Sequence, residues 1–168
     1  EKIYDICFIG HYELNRQYII QKLLDSGFSV VLAGINWERF VKKNQTMGNL
    51  YYKGSNVIGI DYSKLISQSR LALGLLSKWI PEKHTTRTFE IPACGTALLT
   101  ESNDEILSVF DSEDIIIYNS EDEILSVVKH ALNDLVFLES ITISGYNKVI
   151  DGDFTYEKIL NLLINKIK

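Results

Sequence analysis

Thr85-Thr86-Arg87-Thr88-Phe89-Glu90-Ile91-Pro92-Ala93-Cys94-Gly95-Thr96-Ala97-Leu98-Leu99-Thr100 is the stretch on which the fold turns. It reads as a short helix that opens on hydroxyls and a guanidinium, carries a carboxylate one turn in, stops at Gly95 and hands over to an apolar strand. A helix start exposes unpaired backbone N–H groups and the positive end of the helix dipole. With Arg87 added, such a start suits a phosphate. Glu90 lies at the same end and can accept hydrogen bonds from both hydroxyls of a sugar diol. A ribose carrying a diphosphate needs both features, which makes Thr85, Thr86, Arg87 and Glu90 the first candidate site residues.

Outward from this stretch, strands and helices alternate. Upstream, apolar runs at Ile3–Ile9, Ser29–Ala33 and Leu71–Leu76 read as strands, the first two ending at Gly10 and Gly34. Leu14–Asp25 has Ile19, Ile20, Leu23 and Leu24 at helical spacing, with Gly27 as its stop. Trp37–Lys43 predicts a short helix, Leu50–Tyr52 a short strand, and Asp61 the cap of a helix through Leu65 and Ile66. Downstream, Ser102-x-x-Glu105 and Ser120-x-x-Glu123 read as capping boxes. They flank a strand at Ile115–Tyr118 and precede helices over Ile106–Phe110 and Ile124–Leu132. A further helical stretch precedes Gly152, and Thr155 caps a last helix containing Ile159, Leu160, Leu163, Ile164 and Ile167.

This order implies an α/β domain, Rossmann-like, with three α/β/α layers around a parallel sheet. Ligands of such folds sit at the carboxyl ends of the strands. That rule puts Gly10, Gly34, the Ile60–Tyr62 turn, Trp79–Arg87 and Thr100 on one rim. No repeat, low-complexity tract or linker interrupts the chain, so residues 1–168 read as a single domain.

The net charge of −5 argues against a general nucleic-acid binder, yet leaves room for a nucleotide at one local basic site. The two cysteines, Cys7 in a strand and Cys94 near a helix end, lack metal-ligand or redox-pair spacing and read as buried thiols in a reducing compartment. No cluster of His, Cys, Asp or Glu has metal-ligand spacing. With no visible signal peptide and no apolar run near the ~20 residues of a membrane span, the expected location is cytoplasmic. The start at Glu1, directly before a strand, reads as a piece of a longer protein.

The segments Asp5-Ile6-Cys7-Phe8-Ile9-Gly10 with Arg16, Val30–Gly34 with Trp37, Gly59–Tyr62, Ser69–Leu73, Thr86–Gly95, Leu98–Glu101, Tyr118, Glu123–Leu125 and Phe154–Tyr156 together cover nearly the whole chain. In these the chain resembles the C-terminal domain of glycosyltransferases of the two-Rossmann-domain (GT-B) architecture, the glycosyl transferases group 1 family. The closer resemblance is to the CgeB-like, spore-maturation-protein branch. Arg87-Thr88-Phe89-Glu90, followed by Ala93-Cys94-Gly95, is the most specific part.

The resemblance implies a donor domain that binds a nucleotide-diphosphate sugar, and a separate N-terminal domain holding the acceptor. It implies that Glu90 holds the donor ribose hydroxyls and that Arg16, early in the first helix, contacts phosphate. It also implies that Glu82, separated from Glu90 by seven intervening residues in an E-x7-E pair, lies near the donor sugar. The family generally works without a metal or other cofactor, because basic residues and a helix end take the charge of the leaving diphosphate.

From their residue types, Gly10 would let backbone approach the donor, and Trp37 and Tyr62 offer flat rings to a base or ribose. Each has a plainer reading as a turn glycine or a rim-packing ring. Glu90 could equally be a first-turn glutamate favoured by the helix dipole, and Arg16 a solvated helix arginine. His11 and His84 stand close to the rim with nothing in the sequence to fix a role. A non-catalytic Rossmann-like interaction or regulatory domain is the alternative function. Its phosphoacceptor version lacks the acidic pair after the first strand, and a dinucleotide oxidoreductase lacks the G-x-G-x-x-G turn. Base, sugar, acceptor and stereochemical outcome stay open.

Overall fold

The computed structural model describes residues 1–152 and 154–167; in the last helix the side chains of residues 159, 162, 163, 166 and 167 lie outside that description. Six strands form the sheet: β1 (Tyr4–Ile9), β2 (Val30–Ala33), β3 (Leu50–Tyr52), β4 (Ser69–Gly74), β5 (Ala97–Glu101) and β6 (Ile116–Tyr118). Every pairing is parallel, and the spatial order is β3-β2-β1-β4-β5-β6. The chain therefore builds leftward from β1 to β3, returns to β4, and builds rightward to β6. The reversal falls between β1 and β4, where the connections leave a crevice beyond the strand ends.

Helices cover both faces. On one face α1 (Leu14–Asp25), α2 (Glu38–Lys43) and α6 (Ile124–Asn133) bury Ile20, Leu23, Trp37, Phe40, Val128 and Ala131 against Ile6, Phe8, Leu32, Leu71 and Leu99. On the other, α3 (Gly59–Ser67), α4 (Arg87–Ala93) and α5 (Asp104–Val109) bury Ile66, Ile91, Ile106 and Phe110 against Cys7, Val31, Ala72 and Leu98. Successive strand residues point to opposite faces, so strands buried on both sides read as unbroken apolar runs. Helix α7 (Leu135–Asp151) packs on α4, α6 and β5, and α8 (Tyr156–Ile167) follows.

Several local expectations are corrected. Asn103, not Ser102, caps α5: its side-chain oxygen accepts from the N–H groups of Glu105 (3.1 Å) and Ile106 (3.0 Å). Ser120 caps nothing with its side chain; Glu123 stands at the N-cap of α6, and its carboxylate accepts from the Asn119 N–H. Asp61 lies inside the first turn of α3, which opens at Gly59. The fourth strand starts at Ser69 and ends at Gly74, so Leu75 and Leu76 run on past the sheet, still buried. Cys7 is buried, which pushes its thiol up to about 12, whereas Cys94 is only half-buried. Thr155 accepts from the Lys158 N–H at the head of α8, as predicted. Of the residues predicted to build that helix, Ile159, Leu163 and Ile167 have side chains outside the described set.

Candidate functional site

An open cleft of about 510 Å³ lies beyond the carboxyl ends of β1 and β2, walled on its far side by the starts of α3 and α4. Gly10, His11, Gly34, Tyr62, Thr86, Arg87 and Glu90 all line it.

The inner wall is the pair of turns after β1 and β2. The Gly10 N–H donates to the Ala33 carbonyl (3.0 Å), Tyr12 N–H to the Ile35 carbonyl (3.0 Å), and Gly34 N–H to the Gly54 carbonyl (2.9 Å). The turns touch so closely that a Cβ on Gly34 would run into the Gly10 carbonyl, and φ at Gly34 is +133°. Both facts require glycine there. Trp37 was expected to offer a ring to the ligand and does not. It is fully buried, its ring meets Phe8, Tyr12 and Phe40 edge-on, and its indole N–H donates to the Gly10 carbonyl (2.8 Å). Its position supports the turn from beneath.

Arg16 is fully buried too, so it is neither a solvated helix residue nor open to the cleft. Its guanidinium donates to the carbonyls of His11 and Leu75 (both 3.1 Å) and stands 3.0 Å from Glu13 Oε1, while its Nε has no hydrogen-bond partner. Glu13, which the sequence reading passed over, is also fully buried. Its Oε2 accepts from the Lys78 N–H (2.9 Å), joining α1 to the loop after β4. Burial pushes this carboxyl up, but the Lys78 N–H, the Ser77 hydroxyl, Arg16 and His11 outweigh burial and hold it below the usual carboxylate range.

The outer wall carries an exposed carboxylate, Glu90, and a part-buried guanidinium, Arg87, whose Nε is buried and meets no described residue. Tyr62, half-buried on α3, donates its hydroxyl to Glu90 Oε2 on α4 at 2.6 Å. Burial, then the neighbouring Glu90, push the Tyr62 hydroxyl well up, so it stays a donor at neutral pH. Glu90 is exposed, and three residues before it Arg87 makes no hydrogen bond or ion pair with any described residue. The α4 helix is only seven residues long and has no side-chain cap. Its dipole is correspondingly small, and the positive charge of this wall resides mainly on the guanidinium.

Thr86 and Glu90 line both the cleft and a neighbouring cavity of about 250 Å³, whereas Thr85 lines only the latter, with His84, Phe89, Phe154 and Tyr156. Thr85 and Thr88 also tie the helix start together, the Thr88 hydroxyl accepting from the Thr85 N–H (3.2 Å). Glu82 does not reach the cleft either; its carboxylate accepts from the Ser77 N–H (2.8 Å) and closes its own loop. Sequence reading also missed Ser55, Val57 and Ile58, which line the cleft from an irregular segment with no periodicity to mark it. Glu13 did carry a signal: a carboxylate three residues before an arginine at a helix start. Among the described residues no group of His, Cys, Asp and Glu could hold a metal ion, and no helix is long and apolar enough to cross a membrane.

A family model described as "Glycosyl transferase-like" matches residues 16–165. No curated protein matches the sequence. Solved structures match the fold at low identity. Sucrose-phosphate synthase from Thermosynechococcus elongatus superposes with a TM-score of 0.73 at 14% identity, over 98% of this chain and 45% of that one. HepE from Anabaena, in complex with UDP and glucose, gives 0.76 at 12% identity, over 98% and 48%. The C-terminal domain of a glycosyl transferase group 1 family protein from Francisella tularensis gives 0.66 at 14% identity, over 89% and 86%. The chain thus spans about half the length of the first and second of these and most of the third.

Proposed function

The chain belongs to the glycosyl transferase-like family, and from that premise we propose that its cleft binds a nucleotide-diphosphate sugar as the donor half of a GT-B enzyme, nearest the CgeB-like branch. The observation that carries this reading is Arg87, a guanidinium without a hydrogen-bond or ion-pair partner among the described residues, in one cleft with a carboxylate that Tyr62 already orients. Arg87 and the Thr86 hydroxyl take the diphosphate, a planar cation and a donor against an acceptor-rich anion. Glu90 takes the ribose diol through the oxygen lone pairs that Tyr62 leaves free. Gly10 lets the diphosphate approach the backbone, and Arg16 and Trp37 act from below by holding that turn. Glu82 and Thr85 shape the loop and helix start from which Arg87 projects.

Nucleotide-sugar complexes of HepE support the ligand class. The half-length match supports a separate N-terminal domain that brings the acceptor and closes over the donor. On that account the chain alone binds donor weakly and turns over little. A cytoplasmic location and metal-free chemistry belong to the same proposal.

Calorimetric titration with UDP, GDP, ADP and their sugars tests it. We expect saturable binding to at least one, weakened by about tenfold or more in Arg87→Met and in Glu90→Gln with the melting temperature unchanged. Binding to none by the folded chain, or variants that shift only stability, would favour a non-catalytic interaction domain instead.

A further inference from the structure

We propose that Asn103 is a positioning residue for the donor cleft: its amide bridges the start of α5 and the segment that leads to Arg87, and so holds that guanidinium where the ligand meets it. This rests on the donor reading of the cleft. Residues 75–86 form no regular element between β4 and α4. Helix α4 has no side-chain cap and Arg87 is its first residue, so the place of its start depends on what holds the chain before it. The front of the segment is tied down, since Arg16 donates to the Leu75 carbonyl (3.1 Å) and Glu13 accepts from the Lys78 N–H (2.9 Å). Trp79, Ile80 and Pro81 then run exposed.

Asn103 supplies the hold at the other end. Its Nδ2 donates to the Lys83 carbonyl at 2.8 Å, while its Oδ1 accepts from the N–H groups of Glu105 and Ile106. Two N–H groups face one side of the amide, and the carbonyls of Lys83 and Glu101 (3.4 Å) face the other, which fixes the way the amide points. Among the described residues no other hydrogen bond reaches the backbone of residues 79–84 from outside the segment. Two exposed ion pairs flank this bond, Lys83 with Asp104 and His84 with Glu105, both at 2.8 Å. Successive residues at the start of α5 thus meet successive residues of the segment. Exposed pairs of that kind contribute little. The Asn103 bond differs, because it grips the main chain from a half-buried side chain that the helix cap already immobilises. Asn103 does not line the cleft, so it acts on the ligand only through the chain from Lys83 to Arg87.

The two ends of the amide can be separated by substitution. Asn103→Ser keeps the cap, serine being as good an N-cap as asparagine, and removes the donor to Lys83. Its melting temperature should stay within about 2 °C of the wild type. Limited trypsin digestion of the folded chain should cut after Lys83 about three- to tenfold faster, the worth of one hydrogen bond in the opening of the segment. Affinity for UDP-glucose, with GDP-mannose and ADP-glucose as alternates, should fall about two- to fivefold by calorimetry, because binding loses only the share of chains whose segment is out of place. Of the two tryptophans Trp37 is buried and Trp79 is exposed on this segment, so a lower fluorescence anisotropy in the variant reports motion that a helix cap alone does not govern. Asn103→Asp, also a strong cap, should repeat the result. Asp104→Asn, which breaks only an exposed pair, should change affinity by less than about twofold. Unchanged cleavage and affinity in Asn103→Ser would make Asn103 a cap alone. Faster cleavage at unchanged affinity would uncouple the segment from Arg87, and a larger affinity loss in Asp104→Asn would give the role to the ion pair. Each of these overturns the assignment with the donor reading intact. Failure of all three nucleotide sugars to bind the wild-type chain removes the donor reading and this inference together.

Discussion

The two walls of the cleft are built in opposite ways. In the inner wall, between Gly10 and Arg16 and between Gly34 and Trp37, an ion pair and an indole are fully buried; the indole N–H is satisfied by the Gly10 carbonyl, while Glu13 Oε1 and Arg16 Nε face each other's charge without a hydrogen-bond partner among the described residues. In the outer wall, Glu90 is exposed and Arg87 lacks a hydrogen-bond or ion-pair partner among the described residues. Burying charge is costly unless it is paired, so the inner residues are committed to holding shape. The outer charges sit at the rim, Glu90 exposed and Arg87 part-buried with an Nε that no described residue meets, so both keep hydrogen-bonding capacity for a ligand. Substitutions inside should therefore register in stability, and substitutions outside in binding.

Glu13→Ala should produce the largest effect. It leaves Arg16 without its counter-ion at zero exposure and strands the Lys78 N–H, which should cost about 3–5 kcal/mol in urea unfolding. Glu13→Gln, which keeps an acceptor, should cost less. The pH dependence follows from the depressed carboxyl. A group whose folded value lies below its unfolded value stabilises the fold above the unfolded value, about 4.3 for Glu, and the contribution is lost as pH falls through the folded value. Wild-type stability should drop on acidification through that window more steeply than that of Glu13→Gln. A loss under about 1 kcal/mol in Glu13→Ala would mean that the inner wall does not depend on its buried charge.

Gly34→Ala comes next, at about 2–4 kcal/mol, because the added methyl meets the Gly10 carbonyl and φ is positive. Its nucleotide affinity should fall with it, since the two turns can separate only by moving Gly10. A stable Gly34→Ala with intact binding would show that the turn contact can relax and would blur the distinction between the walls.

The contrast also explains what the sequence made legible. Strands buried on both faces announce themselves as apolar runs ending in glycine, and a charged, hydroxyl-rich helix start stands out between two of them. The fold and the Arg87–Glu90 pairing on one wall were therefore readable from local pattern. Trp37 was not, because an aromatic residue three positions after a strand-ending glycine has the same sequence signature whether it faces ligand or core. Neither was Arg16: what buries it are Leu75 and Lys78, some sixty residues away, through a carbonyl and through Glu13. Ser102 and Asn103 compete for one cap one residue apart, and Asn103 prevails by reaching two N–H groups at once. Local rules locate a site; which polar residue is exposed in it is decided by long-range packing.

Tyr62→Phe should be the mildest change, and it separates the walls most finely. Tyr62 is half-buried at the rim and, among the described residues, its hydroxyl bonds only to Glu90, so unfolding stability should move by no more than about 0.5 kcal/mol. Binding should still weaken by about two- to tenfold, the worth of one hydrogen bond that orients the Glu90 carboxylate. Burial holds the Tyr62 proton in place at neutral and moderately alkaline pH, so this loss should be flat across that range. If Tyr62 acts through Glu90, the same substitution should cost almost nothing in a Glu90→Gln background, and inorganic pyrophosphate should bind both forms alike. Additive losses in the double variant would mean that Tyr62 touches the ligand itself, and the outer wall would then hold two independent contacts instead of one oriented pair.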